Sequence, residues 1–196
     1  RAARGGGVVK RSAALRLGID ETLDSVIGPL LLAIGSRWHA GLLRPAHEHL
    51  ATAVVRRTLT WMMENGAPTV TAQALVVATL TGQIHELGAM LVAAAASSQG
   101  WRVVYLGTSL PAAEIAAAAK HTHASAIALS FVYPTDDPAI ARALHELHAA
   151  LPANTPILAG GNATANYGAA LAAVHAARFA TIGQLREWLR AASRSR

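Results

Sequence analysis

The stretch Ala74-Leu75-Val76-Val77-Ala78-Thr79-Leu80-Thr81-Gly82-Gln83-Ile84-His85-Glu86-Leu87-Gly88 decides the fold. A short, unbroken apolar run reads as a strand buried on both faces, Ala74–Thr79. The residues after it are small or polar, and a helical pattern, Glu86–Ser98, follows. The same grammar recurs downstream. Further strands are expected at Arg102–Leu106, Ala126–Ser130, Ile157–Ala159 and Arg178–Ala180. Helices are expected at Ala112–His121, Pro138–Leu151, Thr164–Ala173 and Ile182–Ala192. Strand–helix alternation of this kind requires a parallel sheet with helices on both faces, an α/β domain over residues 74–192.

Upstream the period is helical. Leu15, Ile19, Leu23, Val26, Ile27, Leu30, Leu31 and Ile34 make one amphipathic stripe. After a Gly41–Pro45 break, Leu50, Val54, Leu59 and Met62 continue it, with Arg56 and Arg57 on the other side. Asn65-Gly66-Ala67-Pro68 stops the helix. Residues 13–66 are therefore expected to form a small helical bundle.

Of the 196 residues, 53% are apolar and 14% charged, which suits a buried core and not a disordered chain. With no cysteine, disulfides, thiolate nucleophiles, iron–sulfur clusters and cysteine-based zinc sites are excluded. The net charge of +6 sits at the ends: residues 1–16 carry +5, residues 186–196 carry +3 and the remainder −2. Two frayed basic ends are not a phosphate-binding face, so direct nucleic-acid binding is not expected. No segment reads as membrane-spanning or as a signal peptide, and a cytoplasmic location is expected. The chain begins with Arg, as a piece of a longer protein would.

In an open parallel sheet, ligands bind beyond the carboxyl ends of the strands, where strand order reverses. The loops expected there are Thr81–Gly88, Gly107-Thr108-Ser109, Ser130-Phe131-Val132 and Gly160-Gly161-Asn162. Glycines permit close backbone approach, although they also end strands in many folds. His85 would stand above the sheet. Its neutral imidazole suits a borderline transition metal such as cobalt, and equally a solvated or hydrogen-bonded role.

The segment Gln83-Ile84-His85-Glu86-Leu87-Gly88, with Ser130 and Gly160-Gly161 spaced as they are, resembles the cobalamin-binding fold. Tyr105-Leu106-Gly107 and Leu110-Pro111 are similar to that family's second strand and turn. The resemblance implies a flavodoxin-like, Rossmann-type sheet of five strands. It also implies that His85 replaces the cofactor's own dimethylbenzimidazole as lower axial cobalt ligand. The displaced nucleotide tail would pass Ser130, Val132, Gly160 and Gly161, with Ile84, Glu86 and Gly88 around the histidine. One departure stands out: the family carries an acid where this chain has Gln83. A carboxylate fixes the histidine tautomer and strengthens the donor. Gln83 could accept the same bond without the charge, or another partner could orient the ring.

Trp38-His39 and, further on, Glu48-His49 resemble the Trp-x9-Glu-His motif of CarH/LitR-type light-responsive regulators of the MerR type, whose bundle caps the upper face of adenosylcobalamin. The likeness implies that Trp38 shields the adenosyl group, that Glu48 and His49 contact it, and that His39 takes the upper cobalt position after photolysis. The expected function is light sensing rather than catalysis, with self-association into a dimer or tetramer as output. The DNA reader of that class is not supplied here. A photoreceptor that also binds a noncovalent bilin and a corrinoid carrier for methyl transfer are the alternatives. His47, His121, His123, His145, His148 and His175 show no spacing that completes a metal site.

Overall fold

The computed structural model describes residues 17–66, 68 and 72–194; Leu15 and the start of the expected cap, residues 13–16, lie outside them. Five strands form one parallel sheet: β1 (Ala74–Leu80), β2 (Arg102–Leu110), β3 (Ala126–Ser130), β4 (Ile157–Gly160) and β5 (Ala177–Phe179). Their order is β2-β1-β3-β4-β5, so the strand order reverses between β1 and β3. That is the flavodoxin-like arrangement, in which the crevice beyond β1 and β3 is the natural ligand site.

Every residue of β1 is buried, because alternate side chains enter two separate cores. Val76, Ala78 and Leu80 join Ile115, Ile140, Leu144, Leu147 and Leu171 on one face. These come from helices α4 (Ala112–His121), α5 (Pro138–Ala150) and α6 (Gly168–Ala173). Leu75 and Val77 face α3 (Leu87–Ser98) and α7 (Ile182–Arg194), meeting Ala89, Ala93, Leu185 and Leu189. Several limits differ from the sequence reading by a residue or two, and two differ by more. β2 continues to Leu110 across an irregularity that skips Leu106, with Gly107 at φ +90° and Ser109 at φ +58°. Residues 161–167 form turns, so α6 begins at Gly168 and not at Thr164.

The helical half is an α-helical segment, 17–22, a π turn at Leu23–Ile27, α1 (Gly28–His39) and α2 (Pro45–Glu64). It folds back on itself as a hairpin and docks on α3. A helix apolar all round must be buried all round, and α3 is: Ala89, Ala93 and Ala96 face the sheet. Met90, Leu91, Ala94 and Ala95 face Leu23, Ile27, Val55, Leu59 and Met62. Burying Leu59 and Met62 completely stabilises the docking by about 2 kcal/mol each.

The expected apolar stripe holds only in part. The π turn brings both Leu23 and Ile27 into the core, and no residue of α1 beyond it is buried. On α2 the core face is Val55, Leu59 and Met62, whereas Leu50 is 67% and Val54 48% exposed. Leu50 and Val54 lie on the flank away from α3.

Two of the basic residues towards the carboxyl end, Arg186 and Arg190, are held in place instead of fraying. Arg186 is 7% exposed and bonds the Asp24 carboxylate and the Asp20 carbonyl. Arg190 reaches Asp20 at 3.2 Å and Gln99 at 2.8 Å. Asp20 also accepts from Ser98 and Gln99. This network fastens the first helix to α7 and to the carboxyl end of α3. Among the described residues, no helix is long and apolar enough to cross a membrane.

Candidate functional site

The loop between β1 and α3 is anchored on both sides before any side chain reaches outward. On the β2 side, the Thr79 hydroxyl donates to the Gln83 carbonyl and accepts from the Ser109 amide at 2.9 Å. The Thr81 amide donates to the Leu110 carbonyl at 2.9 Å, and the Gly82 amide to the Ser109 hydroxyl at 3.1 Å. The β2 irregularity supplies these partners. On the β3 side, Gln83 is 1% exposed and its amide is engaged at both ends. Its Oε1 accepts from the Val132 and Tyr133 amides at 2.9 and 3.1 Å, and its Nε2 donates to the Pro134 carbonyl at 2.9 Å.

Gln83 therefore does not orient the His85 ring, as the sequence had allowed; both lone pairs of its amide oxygen are spent on the β3 loop. The imidazole is exposed and lies edge-on to Tyr133, with ring centroids 6.2 Å apart and planes at 79°. Neither ring nitrogen has a hydrogen-bond partner among the described residues, which leaves a nitrogen free for a metal. Ile84 is 67% and Tyr133 57% exposed, giving the histidine apolar flanks.

An amide is needed at residue 83, because one end must accept and the other donate. Gln83→Glu would turn a buried carboxylate oxygen towards the Pro134 carbonyl. It is expected to cost about 2 kcal/mol, or about 6 °C in the Tm of a chain this size. A Gln83→Glu apoprotein melting with the wild type would show that the amide does not hold this loop.

Beneath the histidine, Gly88, Ser130 and Val132 come together. A Cβ at Gly88 would lie 2.6 Å from the Ser130 hydroxyl, so glycine lets the first turn of α3 close over buried Ser130 without turning that hydroxyl away. Ser130 pairs with Gly160 on β4. Gly161, at φ +106°, passes so close to β3 that a Cβ would fall 2.2 Å from the Phe131 carbonyl. A cavity of about 400 Å³ lined by Thr164, Arg178, Phe179, Ala180 and Gln184 opens beside this pair of glycines. It is large enough to take part of a ligand lying across the sheet edge.

Glu86 turns the other way. Its Oε1 meets the Arg56 Nε of α2 at 2.5 Å, and its Oε2 faces the Tyr105 hydroxyl at 3.4 Å. Burial and the adjoining Glu86 carboxylate push the Tyr105 phenol up to about 12. The phenol therefore stays protonated and donates throughout the neutral range; any stability it adds is complete below pH 10 and fades as pH climbs towards 12.

The residues expected on the cap stand apart from this cluster. Trp38 and His39 end α1, Glu48 and His49 lie in the first turn of α2, and all but Glu48 are exposed. Glu48 accepts from the Thr52 hydroxyl at 2.6 Å and lies 3.7 Å from the His49 ring. Among the described residues, no hydrogen bond or ion pair joins these four to the His85 loop. Yet Glu48, Thr52 and Arg56 recur at four-residue steps, one stripe of α2. Since Arg56 reaches Glu86, that stripe continues towards the sheet edge beside His85. The sequence reading placed Arg56 on a solvent face, and it passed over Thr79 and Tyr105. Only the hydroxyl at the end of an apolar strand could have marked Thr79.

Among the described residues, no three His, Asp or Glu side chains gather into a metal cage. One free imidazole over a glycine-lined crevice suits a metal that brings its remaining ligands with it, as cobalt does in a corrin. Fold and site together define a corrinoid-binding α/β domain. The chain belongs to the B12 binding domain family, which matches residues 74–192.

Two curated relatives extend the likeness into the helical half. The HTH-type transcriptional repressor CarH of Myxococcus xanthus is 31% identical over 147 residues, 75% of this chain and 49% of CarH. The repressor CarA of the same organism is 31% identical over 144 residues, 73% of this chain and 48% of CarA. The chain thus spans about half the length of the curated relatives it matches. Solved structures agree on the fold. The monomethylamine corrinoid protein of Methanosarcina barkeri superposes with a TM-score of 0.63 at 16% identity, covering 91% of this chain and 82% of that one. A cobalamin-binding protein of Desulfitobacterium hafniense DCB-2 gives 0.50 at 18% identity, covering 92% and 97%.

Proposed function

We propose that this chain is the sensor module of a light-responsive cobalamin regulator, with adenosylcobalamin held between the sheet edge and the helical hairpin. The observation that carries this reading is the Arg56–Glu86 ion pair, 2.5 Å across. It sets the Glu48–Thr52–Arg56 stripe of α2 on the side of the His85 loop, so that one cofactor can meet both motifs. The identity with CarH and CarA supports a regulatory output over catalysis.

His85 would hold the cobalt through its free imidazole nitrogen, with Gly88 and Ser130 packed behind its loop and Gly160 and Gly161 beside the nucleotide tail. When bound, the cofactor supplies a cobalt–carbon bond that visible light breaks. Trp38, exposed at the hairpin tip, packs over the adenosyl group and keeps water from it. Glu48, steadied by Thr52, accepts hydrogen bonds from that group together with His49. His39, exposed at the end of α1, would offer the cobalt a second imidazole once that group has left. Loss of these contacts withdraws the free energy that favours the closed hairpin, and the population shifts. Self-association of a cytoplasmic dimer or tetramer is the output we assign.

The test is to add adenosylcobalamin in darkness, record the visible spectrum and size-exclusion profile, then illuminate and repeat. A dark complex with a histidine-ligated spectrum that changes size on illumination supports the reading. A complex indifferent to light that exchanges methyl groups would make the chain a corrinoid carrier. A red-absorbing band after biliverdin addition would add a noncovalent bilin. Colourless protein after dialysis would sink the proposal.

A further inference from the structure

We infer that Glu86 is a positioning residue for the lower axial ligand, acting as a latch by which the helical hairpin holds the His85 loop in place. The inference rests on the cobalamin reading and adds a connection between the two faces of the cofactor. Among the described residues His85 has no hydrogen-bond partner, so its place is set by its neighbours in the chain. On one side Gln83 fixes the loop to β3. On the other, Glu86 opens α3, its carbonyl accepting from the Met90 amide at 2.9 Å. Its carboxylate is shared between Arg56 of the hairpin and Tyr105 of β2.

The rest of the hairpin's polar anchorage lies elsewhere. Asp20 and Asp24 hold it at the carboxyl end of α3, through Ser98, Gln99, Arg186 and Arg190. Ser97 bonds the Met63 carbonyl in the same region. α3 has 12 residues, a rise of about 18 Å. The hairpin is thus fastened at one end of α3 and latched at the other, and the latch is the residue next to the cobalt ligand. A swing of the hairpin about the fastened end withdraws Arg56 from Glu86 and frees the His85 loop. By linkage, histidine ligation favours the docked hairpin by the same factor.

The test uses Arg56→Met, Glu86→Gln and the double variant, with Arg56→Lys and Tyr105→Phe as milder changes. In the apoprotein, amide hydrogen exchange across residues 83–90 is expected to quicken in both single variants. It should be no faster in the double variant. After loading with adenosylcobalamin in darkness, the histidine-ligated fraction read from the visible spectrum should fall. A drop of about fivefold in the ligation equilibrium is expected, the scale of one partly exposed ion pair. Arg56→Lys should recover part of it. Wild-type ligation and exchange in both single variants would overturn the latch while leaving the cobalamin reading intact. A wild-type complex without the histidine-ligated spectrum would overturn that reading, and the latch with it.

Discussion

Replacing His85 with alanine is expected to leave the apoprotein's melting temperature where it was and to cost at least about 100-fold in cobalamin affinity. The two halves of this result have separate causes. The imidazole is exposed and touches only the edge of Tyr133, so its removal leaves no buried cavity and no orphaned polar group. The loop stays anchored through Thr79 and Gln83. Binding suffers because the imidazole that would hold the metal is gone, and the carboxylate next to it, Glu86, is engaged by Arg56. Any corrin that still binds should show the spectrum of a cofactor without an imidazole beneath cobalt. Unchanged affinity and spectrum in His85→Ala would remove the basis for the site.

Gly161→Ala should act through the fold itself. The residue sits at φ +106°, where a side chain is strained, and its Cβ would overlap the Phe131 carbonyl at 2.2 Å. Strain and overlap together are expected to cost about 4 kcal/mol, about 12 °C in Tm. The carbonyl cannot yield alone. It accepts from the Ala163 amide at 3.0 Å, and the next two amides donate to Gln83. A shift of β3 large enough to admit the methyl would carry the His85 loop with it, so cobalamin binding should fall as well. Gly160→Ala is the matched control. Its Cβ would make an ordinary 3.8 Å contact with the Phe179 carbonyl, and a change within about 1 kcal/mol is expected. Equal melting of the two variants would mean that β3 and Gly161 are not packed as described.

The sheet was legible because both faces of each strand are covered, which leaves continuous apolar runs between glycines and small polar residues. β3 and α4 fall on the expected residues. β2 overran its expected end because its last residues are held by Thr79 and Leu80 of another strand. The helical half was harder for a different reason. Its periodicity was real, but a π turn shifted the register after Ile27, and Val26, Leu30, Leu50 and Val54 kept the period while exposed. Charge was the least legible of all. Arg186 and Asp24 are 162 positions apart, and only folding makes them partners. Of the candidate site, His85, Gly88, Ser130 and the two glycines could be singled out by resemblance to the cobalamin-binding fold, and the fold sets Gly88 against Ser130 and pairs Ser130 with Gly160. The part played by Gln83 could not, since an amide gives no hint in sequence of which carbonyl it will answer.

The twofold anchoring of the β1–α3 loop carries one further implication. Thr79 and Gln83 fix the stretch that leads to the histidine through bonds to the β2 and β3 ends of the sheet. A receptor so moulded in advance forfeits little disorder when the vitamin arrives. The roof can then be redesigned, for another upper substituent or another trigger, provided that the Arg56–Glu86 contact is kept.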